Sequence, residues 1–324
     1  MTEMTGFSEL TPDRLLDVVE ETLDRRLVGF AHPLTSYINR VYELQDATGE
    51  RIIAKFYRPG RWSREALDEE HAFVLSCADA EIPVVPPMRL PDGGTLGEVD
   101  GIHFAVYPKR RGRDFEACTE EEWQRIGHVL GRLHAVGRQE TAQHRVVLHP
   151  GHSTEQNIGD LIEGDYVPAR FRTDFERVTR EIADAITPLF EDVELFRIHG
   201  DCHHANILER PDEGLMLIDF DDMATGPAVQ DLWMLLPDRA DRCRREINLI
   251  LEGYETFQEF DDYSLRLIEP LRAMRMLYFL SWCARQVADA GFSRTFPDWG
   301  SDSFWRGQIA DLTHQMAAIR ELCG

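Results

Sequence analysis

Two acid-bearing segments of the chain have residue types and a spacing that could do chemistry. The first contains His199, Asp201 and Asn206, and the second is the run Ile218-Asp219-Phe220-Asp221. A carboxylate can accept the proton of a hydroxyl group, while carboxylate and amide oxygens are suitable ligands for Mg²⁺. A set of this kind, with Mg²⁺ held between phosphates, can transfer a phosphoryl group.

The segments around this set predict a hairpin that brings it together. Residues 207–208 and 215–218 are short apolar runs, and the turn-forming sequence Pro-Asp-Glu-Gly joins them at 211–214. In a hairpin, the residue before the first strand and the residue after the second lie at the same open end. Asn206 and Asp219 are therefore expected to converge.

A lysine in the first third of the chain could bind phosphates. Lys55 lies in the middle of Arg51–Tyr57, a β-branched and aromatic run that forms a predicted hairpin with residues 39–44. On the helix predicted over about 63–80, Glu70 shares a face with the apolar positions. Because an unpaired buried carboxylate is costly, we predict an ion pair between Glu70 and Lys55.

The hydrophobic pattern changes along the chain. The first third mixes a helix over about 12–24 with strand-like runs that end at residues 101–108, and a basic crossing follows at 109–113. We expect a lobe boundary there, with one lobe over 1–108 and the other over 109–324.

The second part of the chain is expected to be mainly helical. From about Thr119 onward, apolar residues recur at helical spacing, as they do at Trp123, Ile126 and Leu130. Residues 139–175 are polar and irregular, and they are expected to form an extended surface loop. The predicted fold class is α+β.

The motifs resemble those of the aminoglycoside phosphotransferase and choline kinase superfamily. The resemblance rests on His199-Gly200-Asp201 with Asn206 and on the run 218–221. It implies a two-lobed protein-kinase-like fold, with an antiparallel sheet in the small N-terminal lobe and a larger helical C-terminal lobe. Further stretches resemble bacterial stress-response kinases of this superfamily, and they are residues 36–42, 55–59, 69–71, 226–236 and 268–275.

The resemblance also implies a role for each site residue. Asp201 becomes the proton acceptor, and Asn206 and Asp219 become ligands of Mg²⁺. Lys55 and Glu70 correspond to the kinase pair at the α and β phosphates of ATP. The resemblance further implies that Ser36 lies in a loop over ATP and that the strand end around Tyr107 binds adenine. It also implies that Asp231 holds the catalytic loop in place. The implied activity is ATP- and Mg²⁺-dependent phosphorylation of serine or threonine in proteins, in a bacterial stress response.

Two departures from the protein-kinase pattern stand out. The loop at 34–40 contains no glycine, so a tight turn near Ser36 would have to supply the backbone amides for phosphates. The run Asp219-Phe220-Asp221 lacks the third-position glycine, and only Met223–Pro227 separates it from a predicted helix near Ala228. Since this leaves no room for an activation loop, we expect activity that is independent of phosphorylation there.

The charge of the chain excludes some partners. Its 324 residues include 35 Lys and Arg against 58 Asp and Glu, which gives a net charge of −23. Such a charge repels nucleic acid and anionic membranes, so we expect neither as a partner. No apolar run approaches the roughly 18 residues that span a bilayer, and a cytoplasmic monomer is expected.

Other functions fit parts of the same pattern. A small-molecule kinase that acts on an aminoglycoside, choline or homoserine-like alcohol would use the same core, and an acidic surface would suit a cationic substrate. The spacing of His199, Asp201, His203 and His204 also resembles metal-dependent hydrolase motifs, although the order of the ligands differs. A non-catalytic ATP-binding scaffold is a third alternative.

Overall fold

The computed structural model describes residues 7, 10–210, 213–289 and 291–323. Its helices are α1 (Pro12–Leu23), α2 (Arg64–Asp79), α3 (Glu120–Gly137), α4 (Glu155–Glu163), α5 (Ala169–Ile186), α6 (Val229–Trp233), α7 (Arg244–Tyr254), α8 (Ile268–Gln286), α9 (Phe292–Thr295) and α10 (Asp302–Cys323). Its strands are β1 (Leu27–Leu34), β2 (Arg40–Asp46), β3 (Arg51–Phe56), β4 (Gly97–Val99), β5 (Ile102–Pro108), β6 (Arg113–Asp114), β7 (Phe196–Ile198), β8 (Ile207–Arg210), β9 (Gly214–Leu217) and β10 (Ala224–Gly226).

An antiparallel sheet of five strands dominates the first part of the chain. Its order is β1-β2-β3-β5-β4. The predicted hairpin of β2 and β3 is confirmed, with Tyr42 opposite Ala54. Strand β1 was not predicted, because it is an edge strand in which only Leu27 is buried, so its sequence shows no clean alternation.

The alternation of β3 decides which way its lysine points. Ala54 and Phe56 are fully buried on one face of the sheet, where they share a hydrophobic cluster with Leu15 of α1. Since successive side chains alternate between faces, Lys55 points to the other face, where Tyr57 packs near Leu67 of α2.

Helix α2 joins the sheet to the larger hydrophobic core. Ser63 caps its first turn by accepting a hydrogen bond from the amide of Ala66 at 3.2 Å. Phe73, Val74 and Cys77 of the same helix are buried in the main core of the helical part. Helix α2 is therefore buried against both the sheet and the main core. Glu70 lies on this buried part of the helix and is only 2% exposed.

The helical part is packed closely enough for glycine to be required. At Gly127 of α3, a Cβ atom would lie 1.9 Å from the carbonyl oxygen of Ile250, and at Gly253 of α7 one would lie 2.1 Å from the oxygen of Gln124. Any larger residue would push α3 and α7 apart.

The expectation of a surface loop over 139–175 is wrong. Residues 150–154 form a π-helical turn, followed by α4 and the first part of α5. The polar composition misled the prediction because α5 is strongly amphipathic, and it buries only one stripe, which includes Phe171, Phe175 and Val178.

The predicted α+β class, with an antiparallel sheet first and helices afterwards, is confirmed. The lobe boundary at 108/109 stays a prediction. Of the helices in the described ranges, none combines the length and the hydropathy needed to cross a bilayer.

Candidate active site

The predicted hairpin of the catalytic segments is confirmed. Strands β8 and β9 are antiparallel, with Ile207 opposite Leu217. Just beyond this pair, the amide of Ile218 donates a hydrogen bond to the carbonyl oxygen of Asn206 at 3.0 Å. Asn206 and Asp219 therefore leave the hairpin at the same end, as the spacing predicts.

Residues 199–206, called here the catalytic loop, are fixed by a buried carboxylate. Asp231 is fully buried and accepts hydrogen bonds from the amides of His199 and Gly200, each at 2.8 Å, and it lies 3.0 Å from Nε2 of His134. Gly200 has φ +83°, and a Cβ there would lie 2.1 Å from the oxygen of Asp222. The loop is thus held from both sides, and the predicted tie through Asp231 is present.

Asp201 lies in this loop beside Arg275 and His203. Its Oδ1 accepts a hydrogen bond from Arg275 of α8 at 2.6 Å, and its Oδ2 lies 3.4 Å from Nε2 of His203. Burial raises the pKa of Asp201, but the His203 hydrogen bond and the Arg275 charge outweigh it and bring the pKa to about 2. The carboxylate is therefore ionised at neutral pH and can accept a hydrogen bond.

His199 serves the structure of the loop, as expected. Its Nδ1 lies 3.4 Å from the amide of Asp201, and its Nε2 lies 3.0 Å from the carbonyl oxygen of Ile218. Because an amide and a carbonyl flank the ring, Nδ1 accepts and Nε2 donates. The imidazole thus links the catalytic loop to the segment that carries Asp219.

Lys55 reaches across to this segment from β3. Its Nζ lies 2.7 Å from Oδ1 of Asp219 and 2.6 Å from Oδ1 of Asp221. Asp219 has φ +61°, a left-handed conformation that is uncommon for a residue other than glycine, and its side chain is 50% exposed. Asp221 is buried and also contacts Asn39 and Arg61. Two carboxylates therefore converge on one buried ammonium group.

The predicted ion pair between Lys55 and Glu70 is not formed. Lys55 is already neutralised by the two nearer carboxylates, whereas the cation nearest to Glu70 is Arg145, at 3.8 Å. Burial and the neighbouring charge of Asp221 raise the pKa of Glu70 to about 8. A carboxyl group that favours its protonated form needs no cation, which removes the premise of the prediction.

Arg145 was missed by sequence reasoning. Its buried guanidinium donates to the carbonyl oxygens of Met223 at 2.8 Å, Ala66 at 3.3 Å and Asp221. It thereby ties α2 to the Asp219–Asp222 segment. No pattern in the sequence marks this role, because the arginine stands alone in a polar stretch.

Arg275 was also missed as a site residue, although its stretch entered the resemblance. A signal does exist, since Arg275 follows Leu271 and Met274 at helical spacing on α8. A cation beside the apolar stripe of a helix indicates a buried or partly buried anion.

Neither Ser36 nor Tyr107 forms a hydrogen bond with an acidic residue of the site. Oγ of Ser36 accepts a hydrogen bond from the amide of Asn39 at 3.3 Å within the β1–β2 loop. The hydroxyl of Tyr107 lies 2.9 Å from that of Tyr57 and 3.3 Å from Nε2 of His71. Ser36 therefore shapes the loop, and Tyr107 lies on the face of the sheet that carries Lys55.

The donor chemistry of the site suits Mg²⁺. Nδ2 of Asn206 donates to the carbonyl oxygen of Asp201 at 3.0 Å, and its amide oxygen accepts no hydrogen bond from a described residue. Asp219 uses one carboxylate oxygen for Lys55 and is half exposed. These two oxygen ligands fit an ion that takes few protein ligands and completes its shell with phosphates and water. Within the described ranges, no group of three or more His, Cys, Asp and Glu side chains is arranged around a metal position.

The histidines of this segment do not converge as in a hydrolase centre. Nε2 of His199 faces the carbonyl oxygen of Ile218, whereas Nε2 of His204 lies 2.9 Å from that of Leu235. His203 is the histidine of the motif whose ring lies beside the carboxylate of Asp201. The geometry therefore favours a proton-accepting carboxylate over a zinc-type ligand set.

Comparisons with known proteins agree with the site. Residues 31–268 match the family described as "Phosphotransferase enzyme family" (APH). The chain is 39% identical to "Stress response kinase A" of Escherichia coli strain K12, over 97% of this chain and 95% of the relative. It is 37% identical, with the same coverage, to "Serine/threonine protein kinase RdoA" of Salmonella typhimurium strain LT2.

Among solved structures, the chain is similar in fold to amicoumacin kinase hAmiN, solved in complex with AMP-PNP, Ca²⁺ and Ami. The TM-score is 0.72 at 19% identity, over 92% of this chain and 93% of the other. This likeness concerns the fold. It confirms the two-lobed arrangement that the motifs imply, with an antiparallel sheet in the N-terminal lobe and a helical C-terminal lobe.

Proposed function

Because the chain belongs to the phosphotransferase enzyme family and is a kinase, we propose that it phosphorylates serine or threonine of a protein in a bacterial stress response. The phosphoryl donor is ATP, and the divalent cation is Mg²⁺. The observation that carries the proposal is the convergence of Asp201, Asn206 and Asp219 opposite Lys55.

The nucleotide is proposed to bind between the sheet and the catalytic loop. Lys55, on the face of the sheet that points to Asp219, binds the α and β phosphates, and Glu70 shapes its surroundings. The loop that contains Ser36 covers the phosphates. The strand end around Tyr107 offers backbone groups to adenine, although the amide of Lys109 there already donates to the carbonyl oxygen of Arg51.

The chain's own residues also account for metal binding. Asn206 and Asp219 would hold Mg²⁺, since both present a free oxygen at the open end of the hairpin. When it is bound, the ion would neutralise negative charge on the phosphates. Asp221, buried and paired with Lys55, keeps the lysine in place while phosphates compete with Asp219 for its ammonium group.

Asp201 is proposed to orient the acceptor hydroxyl. The hydroxyl oxygen forms a bond to the γ-phosphorus while the bond to the β,γ-bridging oxygen breaks, and ADP leaves with that electron pair. The hydroxyl proton passes to Asp201 and then to solvent. Because the pKa of Asp201 is about 2, the residue is a weak base, so it contributes mainly by positioning the nucleophile and accepts the proton late.

The identity of the acceptor has support from the relatives. Two curated relatives above one-third identity carry kinase names, and one of those names specifies serine and threonine. A small-molecule kinase is the second candidate, because amicoumacin kinase shares the fold. We also propose a cytoplasmic monomer with lobes over 1–108 and 109–324.

An acceptor panel tests the proposal. The purified chain is incubated with labelled ATP and Mg²⁺ together with an acidic protein, a basic protein or a set of small alcohols that includes choline and aminoglycosides. Label on serine or threonine of a protein is the expected result. Label on a small alcohol and on neither protein would select the second candidate.

A further inference from the structure

A cavity of about 520 Å³ lies beside the catalytic loop. It is bounded by the β3–α2 connection on one side and by α4 and α8 on the other. Its charged lining consists of four arginines and one carboxylate, which are Arg58, Arg61, Arg275, Arg285 and Asp222. A chain with a net charge of −23 therefore places mostly cations around the space next to its proposed catalytic residue.

One face of α8 forms a continuous wall of this cavity. The wall contains Arg275, Tyr278, Trp282, Arg285 and Gln286. At 100° per residue these positions fall within an arc of about 100°, so their side chains share one face. The wall begins beside Asp201, where Arg275 is bonded to it, and it runs along the helix toward the C-terminal end of α8.

Three of the four arginines already have carboxylate partners. The pairs are Arg58 with Asp289, Arg61 with Asp222 and Arg275 with Asp201. Arg285 differs, because its partners are the neutral Oδ1 of Asn157 at 3.1 Å and Oγ of Ser281 at 2.9 Å. Within the described part of the chain, no carboxylate forms an ion pair with Arg285. Its charge is therefore available to an anion in the cavity.

Two further polar groups of the lining lack a partner. Gln286 is 6% exposed, and its Oε1 accepts no hydrogen bond from the described residues. Nε1 of Trp62, on the opposite wall, donates no hydrogen bond to a described residue. Both atoms are closed to solvent, so neither faces the open space of the cavity, and Arg285 remains the lining group that is available to a ligand.

The distance along α8 sets the size of this ligand. Arg275 and Arg285 are separated by ten residues, or about 15 Å along the helix axis, which an extended peptide covers in about four or five residues. A small alcohol bound at Asp201 could not reach Arg285. We propose that the acceptor is an acidic peptide segment bound along the α8 wall, with a carboxylate at Arg285 four or five residues from the acceptor hydroxyl.

This inference rests on the proposed function and gives its substrate a chemical class. The acidic surface of the chain does not oppose it, because exposed charges farther than about 8 Å are largely screened at physiological salt. At the cavity itself, three arginines are paired with carboxylates, and Arg285 is a positive charge without a carboxylate partner among the described residues. A cationic acceptor such as an aminoglycoside would meet this uncompensated charge.

A peptide series tests the inference. Each peptide has one central serine on a neutral background, with a single glutamate moved one position at a time toward either end and glutamine as the matched control. The ratio of kcat/KM for the glutamate and glutamine peptides is measured with labelled ATP and Mg²⁺. Because Arg285 is exposed, we expect this ratio to reach about three to five at the fourth or fifth position on one side and to stay near one elsewhere.

Variants of Arg285 assign the preference. In Arg285→Gln the ratio at that position should fall to about one, and in Arg285→Glu a lysine at the same position should become preferred over glutamine. Arg244→Gln, an exposed arginine on α7, is the matched control and should keep the wild-type ratio. Unfolding curves of all three variants show whether each is folded.

The outcomes separate the two proposals. Equal rates on all peptides, or a preference that survives Arg285→Gln in a folded protein, would overturn the acidic acceptor and leave the protein kinase intact. Failure to label any peptide or protein, with label on a small alcohol, would overturn the protein kinase itself and the inference with it.

Discussion

Nζ of Lys55 lies 2.7 Å from Oδ1 of Asp219, across 164 residues of sequence. The contact joins the third strand of the sheet to the segment that follows the catalytic hairpin, and Asp221 supports it from the other side at 2.6 Å. In the proposed mechanism Asp219 would also hold Mg²⁺, so Lys55 would share this carboxylate with the ion. The buried Asp221 allows that, because it can keep Lys55 neutralised when Asp219 turns to the metal.

Asp219→Asn should reduce kcat by about a thousandfold, because the amide removes a charged metal ligand at the transferred phosphoryl group. Stability should change little, since Lys55 keeps Asp221 as its partner. The measurement is the initial rate against Mg²⁺ concentration, with the exposed Asp241→Asn as a control. A rate close to wild type at any Mg²⁺ concentration would show that Asp219 is not a ligand of the metal ion.

Glu70→Gln should flatten the pH dependence of stability. The pKa of Glu70 is raised from 4.5 to about 8, so between these values the folded chain binds more protons than the unfolded chain. The stability that Glu70 contributes is then fully present below about pH 4.5 and is lost as pH rises toward 8. Glutamine does not titrate and mimics the protonated form. Denaturant unfolding at several pH values should show the variant gaining about 4 kcal/mol on the wild type across this window.

A constant difference in unfolding free energy between the two proteins from pH 5 to pH 8 would contradict this reading of Glu70. The matched control is Glu69→Gln on the same helix. Glu69 is not buried and accepts hydrogen bonds from the amides of Gln143 and His144, so its replacement removes a carboxylate of α2 from a site outside the core.

Arg145→Met should destabilise the chain by about 3 kcal/mol, because it leaves three carbonyl oxygens without their donor. Activity should fall as well, since the tie between α2 and the Asp219–Asp222 segment is lost. Chemical denaturation measures the first effect. Arg320→Met, at an exposed ion pair with Glu181, is the control and should cost less than about 1 kcal/mol. Equal costs for both variants would refute the role of Arg145.

Thr225→Val should leave the rate within about twofold of wild type. Thr225 lies in β10 paired with Arg197 of β7, and its hydroxyl is buried without a partner among the described residues. A methyl group of similar shape fits there, and phosphorylation of this hydroxyl would require the strand to open. A large loss of rate in Thr225→Val, or a large gain after phosphorylation of this threonine, would show that the segment works as an activation loop.

Local patterns predicted much of the architecture. The β-branched run around Lys55 and the two short apolar runs around residues 211–214 each fix a hairpin through side-chain alternation and turn chemistry, and both hairpins are present. The convergence of Asn206 and Asp219 follows from the second hairpin alone.

Local sequence patterns could not predict the contacts between distant segments. Which carboxylate lies nearest to Lys55 depends on how residues 219–221 pack against α2, and the charges there decide whether Glu70 is ionised. The same holds for Arg145, whose partners are backbone carbonyls that carry no sequence signal.

The central claim is that Asp201 serves the transfer step and not the binding of nucleotide. In Asp201→Asn, calorimetric titration should give a Kd for MgATP within about threefold of wild type, whereas single-turnover transfer of labelled phosphate to a serine peptide should slow by at least about a hundredfold. A variant that transfers phosphate at a rate within tenfold of wild type, in the presence of saturating MgATP, would contradict the account.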